Sequence, residues 1–68
     1  MREFHLKSEY IELIKLLKLL RIAETGGHAK MMVEEGDVYL NGVQEFRKRA
    51  KLHSGDIIEI LGEKIHIH

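Results

Sequence analysis

The sequence predicts an α+β fold in which two N-terminal helices pack on a small, mainly antiparallel sheet of about four to five short strands. Three observations lead there. Between Ser8 and Arg21 apolar residues crowd at helical spacing, and Thr25 then opens a second amphipathic segment that Gly36 closes. From Val38 onward, β-type runs alternate with turn signals, of which Asn41-Gly42 is the strongest.

At 68 residues the chain is expected to form one domain over 1–68, close to the smallest size at which one core suffices without metals or disulfides. Hydrophobic residues make up 44% of the chain, enough for a core, and cysteine is absent, which excludes a disulfide scaffold. The most apolar stretch, Tyr10 to Ile22, is interrupted by Glu12, Lys15, Lys18 and Arg21, so it is unfit to span a membrane. The opening residues show no signal-peptide pattern, and a cytoplasmic protein without a membrane partner is expected.

Taken in order, Glu3-Phe4-His5-Leu6 alternates polar and apolar residues and reads as a short strand at a sheet edge, with a disordered start as the alternative. Ser8 to Arg21 reads as a helix. Ser8 is placed as its N-cap, Glu9 and Glu12 fall in the early turns, and Lys18 and Arg21 fall in the last, signs that suit the helix dipole. Tyr10, Ile11, Leu13, Ile14, Leu16, Leu17, Leu19 and Leu20 form an apolar arc wider than one face. Two of its sides therefore need cover, from the second helix and the sheet or from another molecule.

After a connection over Ile22 to Glu24, Thr25 caps a helix running to about Glu35, with Ala29, Met32 and Val33 as its inner stripe and Gly36 as a left-handed C-terminal cap. Val38 to Leu40 is a strand, Asn41-Gly42 a type I′ turn, and Val43 to Glu45 the returning strand, with Val38, Leu40 and Val43 on the inner face. Phe46 is expected to anchor the base of the next segment, Arg47 to Lys51 to be an irregular or extended surface run, and Leu52 to re-enter the core. His53 to Asp56 is a turn. The last strands, Ile57 to Leu61 and Lys64 to His68, flank Gly62-Glu63, which reads as a type II′ turn with glycine first. That register turns Ile58, Ile60, Ile65 and Ile67 inward and sets Glu59 opposite His66.

Eleven basic and eleven acidic residues give a formal net charge of zero, without the bulk basicity that usually accompanies nucleic-acid binding. The distribution is uneven, however: Arg47, Lys48, Arg49 and Lys51 lie close together, while acids gather at Glu34, Glu35 and Asp37. Such a cluster creates a strong local field even on a neutral protein. Thr25, Gly26 and Gly27 open a helix with amides that no side chain covers, which suits an anion such as a phosphate oxygen, and helical spacing brings Lys30 to the same side. A simple cap followed by a tight interhelical turn accounts for the same residues.

His5, His66 and His68 would share the outer sheet face if the first and last strands are neighbours. No metal site is expected there, because zinc usually takes a fourth ligand, cysteine is absent, and histidine at a strand end is commonplace. Neither catalysis nor a cofactor is expected, since no nucleophile elbow, Walker loop, zinc-protease helix, paired-carboxylate site or dinucleotide fingerprint occurs.

The run Gly36-Asp37-Val38-Tyr39-Leu40-Asn41-Gly42, with Thr25 to Lys30 before it and Glu45 to Lys48 and Leu52 to Asp56 after it, resembles the ribosomal-protein S4-type RNA-binding domain. In that family two helices lead into a β-hairpin that starts near a Gly-x-Val-x-Val-Asn-Gly signature, an arrangement called the αL motif. The resemblance covers nearly the whole chain and is closest to the small stand-alone bacterial members. It implies a non-catalytic module that recognises structured RNA, ribosomal or transfer RNA, by shape and phosphate contacts, in the cytoplasm and in association with the ribosome. The RNA-facing surface it implies matches Thr25, Gly26, Gly27, His28, Lys30, Arg47, Lys48, Arg49 and Lys51 here. Many relatives carry Ser-Arg where this chain has Thr25-Gly26, so an arginine contact at that point does not carry over. A monomer is expected under this reading. The other reading is a protein-interaction or self-associating adaptor that uses the apolar arc of the first helix, which the zero net charge favours slightly.

Overall fold

The computed structural model describes residues 1–68. Strand β1 (Arg2–Phe4) is followed by β2 (Ile11–Glu12), which runs directly into α1 (Leu13–Leu19), and α2 (Gly26–Glu34) comes next. The remainder is β3 (Val38–Leu40), β4 (Val43–Gln44), β5 (Lys51–Leu52), β6 (Ile57–Ile60) and β7 (Glu63–Ile67). Five strands form one sheet in the order β1-β7-β6-β3-β4, antiparallel except for the parallel β1–β7 pair, while β2 and β5 form a separate antiparallel ribbon. This is the α+β class that the sequence predicts. No helix is long and apolar enough to cross a membrane.

Leu13, Leu16 and Leu17 of α1 and Ala29, Met32 and Val33 of α2 meet Val38, Ile58, Ile60, Ile65 and Ile67 of the sheet, with Leu52 closing the layer. Each fully buried branched side chain of this kind stabilises the fold by about 1.5–3 kcal/mol. The inner stripe of α2 and the inward isoleucines are those that the periodicity indicated.

The first helix is shorter than its sequence suggests. Ser8 is not its cap: the Ser8 hydroxyl donates to the Tyr10 carbonyl at 3.0 Å, and Ile11 and Glu12 are drawn into pairing with Leu52 and Lys51. Helix α1 begins only at Leu13, behind an extended Glu12 whose side chain makes no cap bond. Its first amides are satisfied from a distant part of the chain, with Leu13 N donating to Ala50 O at 2.9 Å and Ile14 N to Lys48 O at 3.1 Å. Glu9 therefore lies outside the helix altogether. The shortening also explains the wide apolar arc: Ile11 is buried as a strand residue, Ile14 and Leu20 pack against the core edge, and only Tyr10 and Leu19 of the arc stay exposed.

Two features of the hairpins depart from expectation. Asn41 (φ 51°) and Gly42 (φ 84°) form the anticipated turn with both central residues left-handed. Val43 lies opposite Leu40 and so shares its face, yet it is 70% exposed, because β4 is the sheet edge and nothing packs over it. Phe46 is likewise exposed rather than anchoring, and the neighbouring Glu45 occupies the buried position instead. In the last hairpin the turn is Leu61-Gly62 (φ 49° and 79°), one residue earlier than Gly62-Glu63, so Glu59 pairs with Lys64 and His66 with Ile57. Two left-handed residues match the strand twist of a two-residue loop, which is why this turn prevails. The partners shift by two positions, an even number, so the inward face is preserved.

Candidate nucleic-acid interface

Helix α2 opens with Thr25 in an extended conformation, its hydroxyl accepting from His28 N at 3.0 Å. His28 reciprocates one residue further back: its Nδ1 accepts from Glu24 N at 3.2 Å, which fixes the ring against the helix entry and leaves only its Nε2 edge facing outward. With His28 N on the Thr25 side chain and Ala29 N on the Thr25 carbonyl, the N–H groups of Gly26 and Gly27 are the first-turn donors that the chain leaves for a ligand.

Neither glycine is needed by the fold. Both lie outside the left-handed region, and a Cβ would meet only Lys18 Cδ at 3.9 Å from Gly26 and Thr25 Oγ1 at 3.9 Å from Gly27. Glycine in a helix is a net loss of up to about 1 kcal/mol against alanine, so these residues do not serve helix stability, and the bare backbone leaves room for a group to approach closely. Lys30 stands exposed one turn along. The surroundings of Gly26 also reveal a cation that sequence reasoning assigned only to the helix dipole: Lys18, on the last turn of α1, has its stem next to Gly26.

The basic segment is held, not loose. Ala50 N bonds to Arg47 O at 3.1 Å, making Lys48-Arg49 a tight turn, and the Lys48 and Ala50 carbonyls cap α1 as described. Its four cations then divide by partner. Arg47 is engaged with Glu45, through Nε to Oε2 at 3.0 Å and a terminal nitrogen to Oε1 at 2.9 Å. That guanidinium holds the Glu45 carboxyl below the usual carboxylate range, against the smaller opposing effect of burial. Lys51 places its ammonium over the Tyr10 ring, 4.9 Å from the centroid. Lys48 and Arg49 form no ion pair and remain available. Phe46, expected to anchor the base of this segment, instead exposes much of its ring, one edge of which lies against Gly36 at the end of α2.

The two basic groups are not merged into one patch. The glycine turn, His28 and Lys30 lie by the C-terminal end of α1, and the Lys48-Arg49 turn lies at its N-terminal end. Seven residues at about 1.5 Å each put these ends roughly 10 Å apart along the helix axis. Between them α1 exposes Lys15 and Lys18, three residues apart on one face. Their spacing was legible in the sequence, but which side of α1 would remain free was not. Glu34 and Glu35 sit at the far end of α2 from the glycines.

Residues 4–68 match the sequence pattern of the S4 domain. A relative from Escherichia coli (strain K12), "Putative RNA-binding protein YbcJ", is 36% identical over 61 residues, covering 90% of this chain and 87% of that one. "Probable ribosome maturation protein RlbA" of Bacillus subtilis (strain 168) is 38% identical over 55 residues, covering 81% and 78%. Among solved structures, the solution structure of YbcJ from E. coli, described as revealing an αL motif involved in RNA-binding, superposes with a TM-score of 0.74 at 37% identity. That superposition covers 98% of this chain and 86% of the other.

Proposed function

Because the chain belongs to the S4 domain family, whose fold is non-catalytic, we propose that it binds structured RNA through phosphate contacts along the α1–α2 face. The observation that carries this reading is the pairing of unshielded Gly26 and Gly27 amides with cations that the fold leaves unpaired, Lys48 and Arg49 at one end of α1 and Lys18 and Lys30 at the other. An RNA backbone that touches both ends has to lie along the helix pair. Ribosomal RNA is the preferred class. The name of the Bacillus subtilis relative supports it, and a ribosome-associated, cytoplasmic role follows from that choice. The names of the Escherichia coli relative and its solved structure support RNA as the ligand.

The deciding experiment is binding to ribosomal and to transfer RNA across a salt series. With about four to five phosphates engaged, log affinity should fall against log salt with a slope of roughly −3 to −4. Binding that does not respond to salt would exclude the phosphate contacts, and tighter binding to transfer RNA would exclude the ribosomal preference.

A further inference from the structure

A second polar cluster lies on the opposite face of the sheet from the helices. In the parallel β1–β7 pair Glu3 sits opposite His66, and the bonds His68 N to Phe4 O and Leu6 N to His68 O, both 2.8 Å, carry the pairing on to His68. Because Ile65 and Ile67 point into the core, His66 and His68 point outward, and the register brings Glu3 to the same side. The Glu3 carboxylate is shared between the two rings, with Oε1 2.7 Å from His68 Nε2 and Oε2 3.8 Å from His66 Nδ1. The His66 and His68 ring centroids are 4.1 Å apart, and His5 stacks on His68 at 5.0 Å.

We propose that Glu3, His66 and His68 form a binding site for a divalent transition-metal ion such as zinc, with a solvent molecule as the fourth donor. One donor atom from each of Glu3, His66 and His68 lies within 4.8 Å of the others. Zinc bonds of about 2.0–2.2 Å place donor atoms roughly 3.3–3.6 Å apart in a tetrahedron, so the cluster needs to close by about 1 Å. Side chains can supply that movement, since Glu3, His66 and His68 are 51%, 32% and 36% exposed, while the sheet fixes the backbone beneath them. Two imidazoles and one carboxylate suit zinc, copper or nickel and not calcium or magnesium, which take oxygen donors. The ligand that the two strand histidines lacked is Glu3, which only the parallel pairing of the two ends of the chain delivers. A bound ion would replace the shared hydrogen bonds and clip edge strand β1 to β7, on a face separate from the proposed RNA contacts.

The test is calorimetric titration of chelator-treated protein with zinc, paired with thermal melting with and without the ion. One equivalent should bind saturably and raise the melting temperature. Glu3→Gln, His66→Gln and His68→Gln should each weaken binding by at least about tenfold, since even partners behind a metal ligand are worth about 10–100-fold. His5→Gln, which removes only a ring stacked on His68, should weaken it less than any of these, whereas His28→Gln and His53→Gln, remote from the cluster, should leave it unchanged. Melting of each variant without metal shows that its fold is intact. Absence of saturable binding up to about millimolar zinc, or binding that survives loss of His66 and His68, would overturn the site. Neither outcome bears on RNA binding, which the Lys48 and Arg49 variants report separately.

Discussion

The carboxylate of Glu45 and the guanidinium of Arg47 form a two-pronged pair across one intervening residue, at 3.0 and 2.9 Å, and the Arg47 amide adds a third bond to the same carboxylate at 3.0 Å. Glu45 is 9% exposed, whereas the Arg47 side chain is 75% exposed. The most prominent arginine of the basic run is thus first a partner for a covered carboxylate. Solvent screening at the arginine keeps the pair modest in strength.

Arg47→Ala should therefore lower stability modestly in urea melts at neutral pH, because Glu45 loses both guanidinium bonds and keeps only the one from the backbone amide of residue 47. The pair also sets a pH dependence. With its folded carboxyl held low by Arg47, Glu45 contributes stability above the ordinary glutamate value of about 4.3, and this is lost as pH falls through the lower folded value. The gap between wild type and Arg47→Ala should narrow between about pH 5 and pH 3. A gap that stays constant over that range would show that the pair is not linked to protonation.

Lys48→Glu with Arg49→Glu should leave stability nearly unchanged, because the groups that cap α1 there are backbone carbonyls. RNA affinity should drop at least about tenfold, and the salt slope should shrink by roughly 1.4–1.8, at about 0.7–0.9 for each of two phosphates no longer neutralised. Retained affinity in the folded double variant would remove this turn from the interface.

Gly26→Ala and Gly27→Ala should move stability and binding in opposite directions. Neither backbone position requires glycine, so each substitution should raise stability by about 0.4–1 kcal/mol in chemical denaturation. Each should also weaken RNA binding by interposing a methyl group at the open amides. Stabilised variants that bind RNA as well as wild type would mean that no phosphate rests there.

Asn41→Gly separates the turn from its tether. Glycine keeps the left-handed φ of 51°, but loses the bond from Asn41 Nδ2 to Asp56 Oδ1 at 3.0 Å and the one that Asn41 Oδ1 accepts from Ile57 N at 2.8 Å. A loss of about 1–2 kcal/mol in thermal or urea melts is expected from these bonds. Gly42→Val, by contrast, should lose about 1 kcal/mol or more through φ strain alone, since nothing packs within 4 Å of that site. Equal stability of Asn41→Gly and wild type would show that the side-chain tether contributes nothing.

By itself the sequence determined the features whose causes are local. Thr25 capping α2, the left-handed Gly36, the Asn41-Gly42 turn and the alternation of Ile58, Ile60, Ile65 and Ile67 each depend on a few neighbouring residues, and the structure contains all of them. The tertiary structure alone decided what depends on distant partners. Helix α1 starts at Leu13 because Leu52 and the Lys48 and Ala50 carbonyls, nearly forty residues on, claim the segment before it. Val43 and Phe46 stay out, and Glu45 goes in, because β4 is an edge strand and Arg47 folds back on the carboxylate. Glu3 reaches His66 and His68 through a parallel pairing of the two ends of the chain. Apolar pattern fixes which face of a strand turns inward, since that depends only on alternate residues. Which residues find a backbone or charged partner depends on how remote segments meet, and hydrophobic periodicity carries no record of that.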